Sequence, residues 1–346
     1  MAEKLVEDSC LGLDETVDLA GMSSFPASDA PGWTMSHLGA PVGVPGAAQG
    51  PELLHDVVQR IRDDVHFFAE TIGERNDASP RTRQNLREAA LAIEGRFRDA
   101  GLPVKQRPAD RVAPSNVEAV IVGTTRPSEC VVIGAHYDSA RGSPGADDDS
   151  SGLAALLALA HSLRETAFAR TVRLVAFVDE ELPHKRKPTM GSVRYVDSLL
   201  REGPTVSAMV SLEMLGVFAN ELPWPLKRIQ PLRSDTLAFV GGLRSRGLVA
   251  RARSIFERAA SGIDVHGVNL PLFVPGVRAS DHRSFARRGI PAFMVTDLGP
   301  LRTWRYHTPA DTPRGLDFDR IGRASLALTA VVRELANDVP RHAGGH

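Results

Sequence analysis

His136, Asp148, Glu181, Glu213 and His307 are imidazole and carboxylate groups of the kind that hold zinc, and Glu180 stands beside them as an extra acid. The stretch Val131 to Gly152, VVIGAHYDSARGSPGADDDSSG, supplies two of them. An apolar run ends on His136, and twelve residues later a Gly/Pro-rich loop delivers Asp148 between Asp147 and Asp149. A buried strand that ends in a ligand-type residue and passes through a loop into a helix sets polar groups at the carboxyl edge of a sheet, where α/β proteins bind ligands. Two ions sharing one aspartate would fit the inventory. Each would have one His, one private carboxylate and a share of the bridge, with room for a water or hydroxide between them. Glu180 and Glu181 are consecutive, and at a strand end both can approach one site. One can then ligate while the other, Glu180, serves as general base and then general acid.

Taken singly, these residues have bland readings: a structural histidine, an aspartate run that caps a helix, exposed charges after a strand. Together the bland readings become a series of coincidences at adjacent sheet ends. The elements that must position the set alternate along the chain. Helical spacing runs from Leu53 to Ile72 and again from Arg81 to Ala100, with Gly101 as a stop. Strands are expected at 103–107, 116–122 and 130–135, the last two joined as a hairpin through GTTRPSE. A helix over 150–163, capped by Ser150 or Ser151, leads to a strand over 171–178. Further helices are expected at 190–200, 243–260 and 318–335, and strands at 207–212, 236–241 and 290–295. This alternation predicts one α/β domain over 51–346, with a central mixed, largely parallel sheet covered by helices on both faces.

Residues 1–50 are rich in Gly, Pro, Ser, Asp and Ala and read as a flexible or loosely packed extension, with Phe25 and Trp33 as its candidate docking residues. Residues 217–234 read as a surface excursion. The chain carries 41 Lys+Arg against 42 Asp+Glu, so no global field favours nucleic acid or an anionic membrane. Its 2 cysteines, Cys10 and Cys130, suggest neither a disulfide framework nor a thiolate zinc site. Without a signal-like start or a long apolar span, the expected location is cytoplasmic.

The segments AHYDS, PGADDDSSG, FVDEELP followed by MGS, SLEMLG, SDHRSF and YHTPADTP, in this order, resemble the dinuclear zinc exopeptidases typified by bacterial leucyl aminopeptidase and glutamate carboxypeptidase. The resemblance covers about 51–337 and extends to GERN at 73–76 and NVEA at 116–119. It implies two zinc ions, His136 and Glu213 on one, Glu181 and His307 on the other, and Asp148 bridging. It further implies Asp138 as the orienter of His136, Glu180 as general acid/base, Tyr306 as an oxyanion donor, and a cis peptide between Asp148 and Asp149. Many relatives have Asp where this chain has Glu213, so cobalt or manganese is also compatible.

Asp281, His282 and Asp311 are read as supports of loops beside the site, and the HKRK run at 184–187 as a solvated loop. Arg302 and Arg305 are candidates for contacting a substrate carboxylate. The expected activity is an aminopeptidase acting on short peptides. The rivals are a carboxypeptidase or amidohydrolase, a single-zinc glutaminyl-cyclase-like transferase, and a non-catalytic scaffold on the same fold. Oligomeric state does not follow from the sequence.

Overall fold

Val131 to Ala135 and Val172 to Val178 are continuous apolar runs, the pattern of strands buried on both faces. In the computed structural model they are neighbouring parallel strands at the middle of the molecule. The structure describes residues 51–107, 115–218, 236–259, 262–274, 276–277 and 279–338. The expected N-terminal extension with Phe25 and Trp33, and most of the expected surface excursion, lie outside the described residues.

Among the described residues, eight strands form one sheet: β1 (Val104–Arg107), β2 (Asn116–Ile121), β3 (Arg126–His136), β4 (Arg170–Phe177), β5 (Thr205–Glu213), β6 (Thr236–Gly241), β7 (Asp264–Asn269) and β8 (Ala292–Thr296). Their order is β1-β2-β4-β3-β5-β8-β6-β7. The central block β4-β3-β5-β8 is parallel, so the ends of its strands share one edge. Antiparallel pairs, β2 on β4 and β6 on β8, flank it.

The helices are α1 (Pro51–His66, continued by a π-helical turn Phe67–Ile72), α2 (Pro80–Asp99), α3 (Gly152–Leu163), α4 (Gly191–Glu202), α5 (Arg246–Arg258), α6 (His282–Ala286), α7 (Gly299–Arg302) and α8 (Phe318–Asn337). Alternation along β3 divides the core between two faces. Val131, Ile133 and Ala135 join the larger cluster with residues of α1, α2, α3, α5 and α8. Cys130 and Val132 face α4 and α6 through Tyr195, Val196, Leu199 and Phe285. Helix α3 is apolar nearly all round because α1 and α8 cover what the sheet does not.

Two expectations fail. β2 and β3 are not a hairpin, because β4 lies between them. The segment joining them crosses the start of β4, with Thr124 N–H donating to Phe168 O at 2.8 Å and Arg126 N–H to Ala169 O at 2.7 Å. Gly123 makes the crossing possible, since a Cβ there would sit 2.5 Å from the Arg170 carbonyl carbon. Strand β7 had no sequence-based counterpart. DVHGVN is an edge strand with only partial burial, so it lacks both an apolar run and a clean alternation.

Arg75, from GERN, ties the helical entrance to the loop after β3. Its guanidinium is fully buried and donates to Phe68 O, Tyr137 O and Pro144 O, each at 2.8 Å, and to Ser150 Oγ at 3.0 Å. Arg75→Met would leave these carbonyls without donors in a dry interior. We expect a loss of about 3 kcal/mol in urea-unfolding free energy. A loss below about 0.5 kcal/mol, the range of ordinary surface changes, would contradict that role.

Candidate metal centre

The parallel edge presents the donors as strand ends. His136 is the last residue of β3 and Glu213 the last of β5, while Glu180 and Glu181 follow the end of β4. Asp148 comes from the turn Ala146–Ser151 between β3 and α3, and His307 from the loop after α7. All but His307 are buried.

Asp148 lies at the centre. Its Oδ1 is 3.0 Å from His136 Nε2 and its Oδ2 is 3.0 Å from His307 Nε2. Glu213 Oε1 lies 3.8 Å from His136 Nε2, and Glu181 Oε1 lies 2.9 Å from His307 Nε2. The donors therefore fall into two sets, His136-Asp148-Glu213 and Asp148-Glu181-His307, that share one aspartate; a third grouping brings Glu180 and Glu181 to His136. Glu180 Oε1 and Glu213 Oε2 are buried without a hydrogen-bond donor, an arrangement that fits a cation.

Backbone geometry at the edge is unusual. Asp179, Met214 and His307 have φ of 60°, 50° and 57°, in the left-handed region that non-glycine residues seldom occupy. Each belongs to the converging set or adjoins one of its acids, so local strain is spent on aiming these side chains. The Asp148–Asp149 peptide is cis, as the resemblance implies.

The neighbouring aspartates are structural, each in its own way. Asp149 accepts from the N–H groups of His136 at 3.2 Å, Gly152 at 3.2 Å and Met214 at 3.0 Å, joining β3, α3 and the end of β5. It, and neither Ser150 nor Ser151, caps α3: Ser151 Oγ donates to Asp147 O and accepts Leu215 N–H, while Ser150 Oγ donates to Gly145 O. Asp147 Oδ1 accepts Gly216 N–H at 2.9 Å. Asp311 accepts the N–H groups of Asp147 at 2.8 Å and Asp148 at 3.2 Å, so it does hold the loop.

Asp138 sits 3.4 Å from His136 Nδ1, and its backbone oxygen is nearer, at 3.1 Å. Its carboxylate also accepts the N–H groups of Glu180 at 3.2 Å and Glu181 at 3.0 Å, linking the orientation of His136 to that of both glutamates. Asp281 is fully buried beside Ser192, and burial pushes its carboxyl up to about 7. His282 donates from Nε2 to Val277 O at 2.7 Å, and burial lowers it to about 4, which makes it a neutral structural histidine.

The arginines separate. Arg302 is buried, with its guanidinium on Thr236 O at 2.8 Å and Val217 O at 3.3 Å, which commits it to the backbone and removes it as a substrate contact. Arg305 lines a small cleft with Asp148, Tyr306 and Asp311. The Tyr306 ring stacks on His307 at 3.7 Å between centroids.

The HKRK loop also departs from expectation. Lys185 turns inward, its Nζ 3.2 Å from Glu180 Oε2 and 3.9 Å from Glu181 Oε2. Four basic or polar residues after a strand read as solvated, and only the fold of Glu181 to Met190 reveals which of them points back. Burial raises the Glu180 carboxyl well above the usual carboxylate range, against the pull of Lys185.

Residues 116–332 match Peptidase family M28, and the chain belongs to that family. Membership of that family makes it a peptidase, a hydrolase. Among its relatives, the protein YfbL of Escherichia coli is 29% identical over 289 residues, covering 78% of this chain and 85% of its own length. Aminopeptidase YwaD of Bacillus subtilis is 28% identical over 224 residues, 62% of this chain; the chain spans only 44% of YwaD. The LapA aminopeptidase of Legionella pneumophila superposes with a TM-score of 0.65 at 18% identity, covering 87% of this chain and 79% of that one. A zinc aminopeptidase of Bacillus subtilis gives 0.63 at 17%, covering 82% and 96%. These two likenesses show the fold.

Burial opposes charge on His307, but Asp148 and Glu181 outweigh it and raise the imidazole to about 10. A zinc ion bound through His307 would require the neutral ring, so its uptake would displace protons and its affinity would rise with pH through the neutral range. Calorimetric titration with zinc in buffers of different ionisation heat should show net proton release; none would contradict the arrangement. His307→Ala should lower the zinc content measured by elemental analysis.

Proposed function

We propose that this chain is an aminopeptidase that removes N-terminal residues from short peptides, with two zinc ions held by His136 and Glu213, by Glu181 and His307, and jointly by Asp148. The observation that supports this most directly is the pair of 3.0 Å approaches from the two oxygens of Asp148 to two different imidazoles. One carboxylate shared by two donor sets is the arrangement a two-ion site needs. The peptidase family and the aminopeptidase relatives give the reaction its class.

Bound zinc supplies Lewis-acid polarisation of the scissile carbonyl and an ionised water at neutral pH. The chain's own groups do the rest. Glu180, buried and with one oxygen free of donors, takes a proton from the attacking water and delivers it to the leaving nitrogen. A carboxylate whose pKa burial raises accepts a proton more readily than a solvated one and holds it until the more basic leaving nitrogen takes it. The Tyr306 hydroxyl, beside His307, donates to the developing oxyanion. Arg305, in the cleft next to Asp148, is a contact for the remainder of the peptide.

A single-zinc glutaminyl-cyclase-like transferase would not need both donor sets, and a non-catalytic scaffold would need neither. Here five donors and a separate acid converge. Elemental analysis near two zinc ions per chain, together with hydrolysis of aminoacyl anilides and dipeptides, is the expected result. One ion per chain with no hydrolysis would favour the cyclase. Glu180→Gln should keep the zinc while kcat falls by about 10²- to 10⁴-fold. Retained turnover would remove Glu180 from its role.

A further inference from the structure

Lys185 is a cation set into an acidic site, and the aminopeptidase reaction as derived gives it no task. Its side chain is 17% exposed, so it is neither dissolved in solvent nor sealed in the interior. Its direction is imposed by the loop. The N–H groups of His184 and Lys185 both donate to Glu181 O, at 2.8 and 3.0 Å, and the His184 ring lies 3.0 Å from Asp77 and 2.9 Å from Thr189. A lysine held in that way presents its ammonium at one place, 3.2 Å from Glu180 Oε2.

That place has a chemical address. Glu180 delivers a proton to the leaving nitrogen, so a group beside Glu180 lies on the side of the residue that follows the scissile bond. When that residue is the last of the substrate, its α-carboxylate begins two bonds from the nitrogen, with oxygens about 3 Å away. In a longer peptide the same position holds a neutral amide. Asp148, Glu180, Glu181 and Glu213 all oppose the entry of a carboxylate, and a cation there answers the opposition.

We infer that Lys185 is a specificity-determining residue that pairs with the C-terminal carboxylate of a dipeptide, so that the enzyme prefers dipeptides to longer or C-terminally blocked peptides. The inference rests on the aminopeptidase reading, in which Glu180 faces the leaving nitrogen. A charge-assisted hydrogen bond of this kind corresponds to about 10- to 100-fold in kcat/KM.

The test uses the full chain loaded with zinc and three substrates: Leu-Gly, Leu-Gly amide and a leucine anilide. The native enzyme should favour Leu-Gly over its amide by about 10- to 100-fold, mostly through KM. Lys185→Met should bring that ratio close to one, and Lys185→Arg should restore most of it. A native ratio near one overturns the inference whether or not the variants fold. So does a Lys185→Met enzyme that loses kcat on all three substrates while keeping the ratio, since Lys185 would then act only on Glu180. If the zinc-loaded chain cleaves none of the three, the aminopeptidase reading itself falls, and this inference with it.

Discussion

Asp148, Glu180, Glu181 and Glu213 are brought together in a buried site, and the repulsion among their carboxylates is the constraint that the surrounding structure must meet. Like charges in a medium of low effective dielectric would drive each group to take up a proton or move apart. Two imidazoles and one ammonium stand among them. A bound metal cation would supply further positive charge, so the same closeness that costs free energy in the bare protein suits the site to a cation.

The geometry survives because the acids are not left to hold themselves. A set of aspartates around the ligands accepts backbone N–H groups: Asp149 from three chain segments, Asp311 from the metal loop, and Asp138 from the two glutamates. These bonds fix main chain rather than ligand atoms, which leaves the ligand oxygens available. Arg75 does the same from the opposite sign, gathering carbonyls of the loop between β3 and α3 onto one guanidinium. The sheet contributes the alignment: β3 and β5 end on His136 and Glu213, and Glu180 and Glu181 follow three and four residues after Phe177, the last residue of β4.

The residues that converge at the candidate site were legible in the sequence because such chemistry restricts them to a few residue types at the ends of apolar runs. His136 after Val131 to Ala135, and Glu180-Glu181 after Val172 to Val178, are of this kind. The central strands were legible for the same reason. What escaped depends on long-range packing. The apparent hairpin of β2 and β3 fails because β4 enters between them, and nothing local to GTTRPSE records that insertion. β7 lacks a periodic signal because it is an edge. Arg302 looks from its position next to Tyr306 and His307 like a substrate contact, yet its guanidinium bridges Thr236 and Val217 far away in sequence. Lys185 errs in the other direction, a surface-type residue in a charged run that the loop folds inward.

That loop divides labour in a way that bears on how such an enzyme can diversify. Between Glu181 and Met190 its backbone bonds run mostly within itself, from Lys185 to Glu181, from Lys187 to His184 and from Met190 to Lys187. The candidate metal ligands, by contrast, are braced by bonds that cross between strands, helices and distant loops. Substitutions in the loop can therefore change what charge meets the substrate without disturbing the scaffold that holds the candidate ligands in place. In a lineage built on this fold, recognition can drift residue by residue at 182–189 while the hydrolytic machinery stays under much tighter restraint.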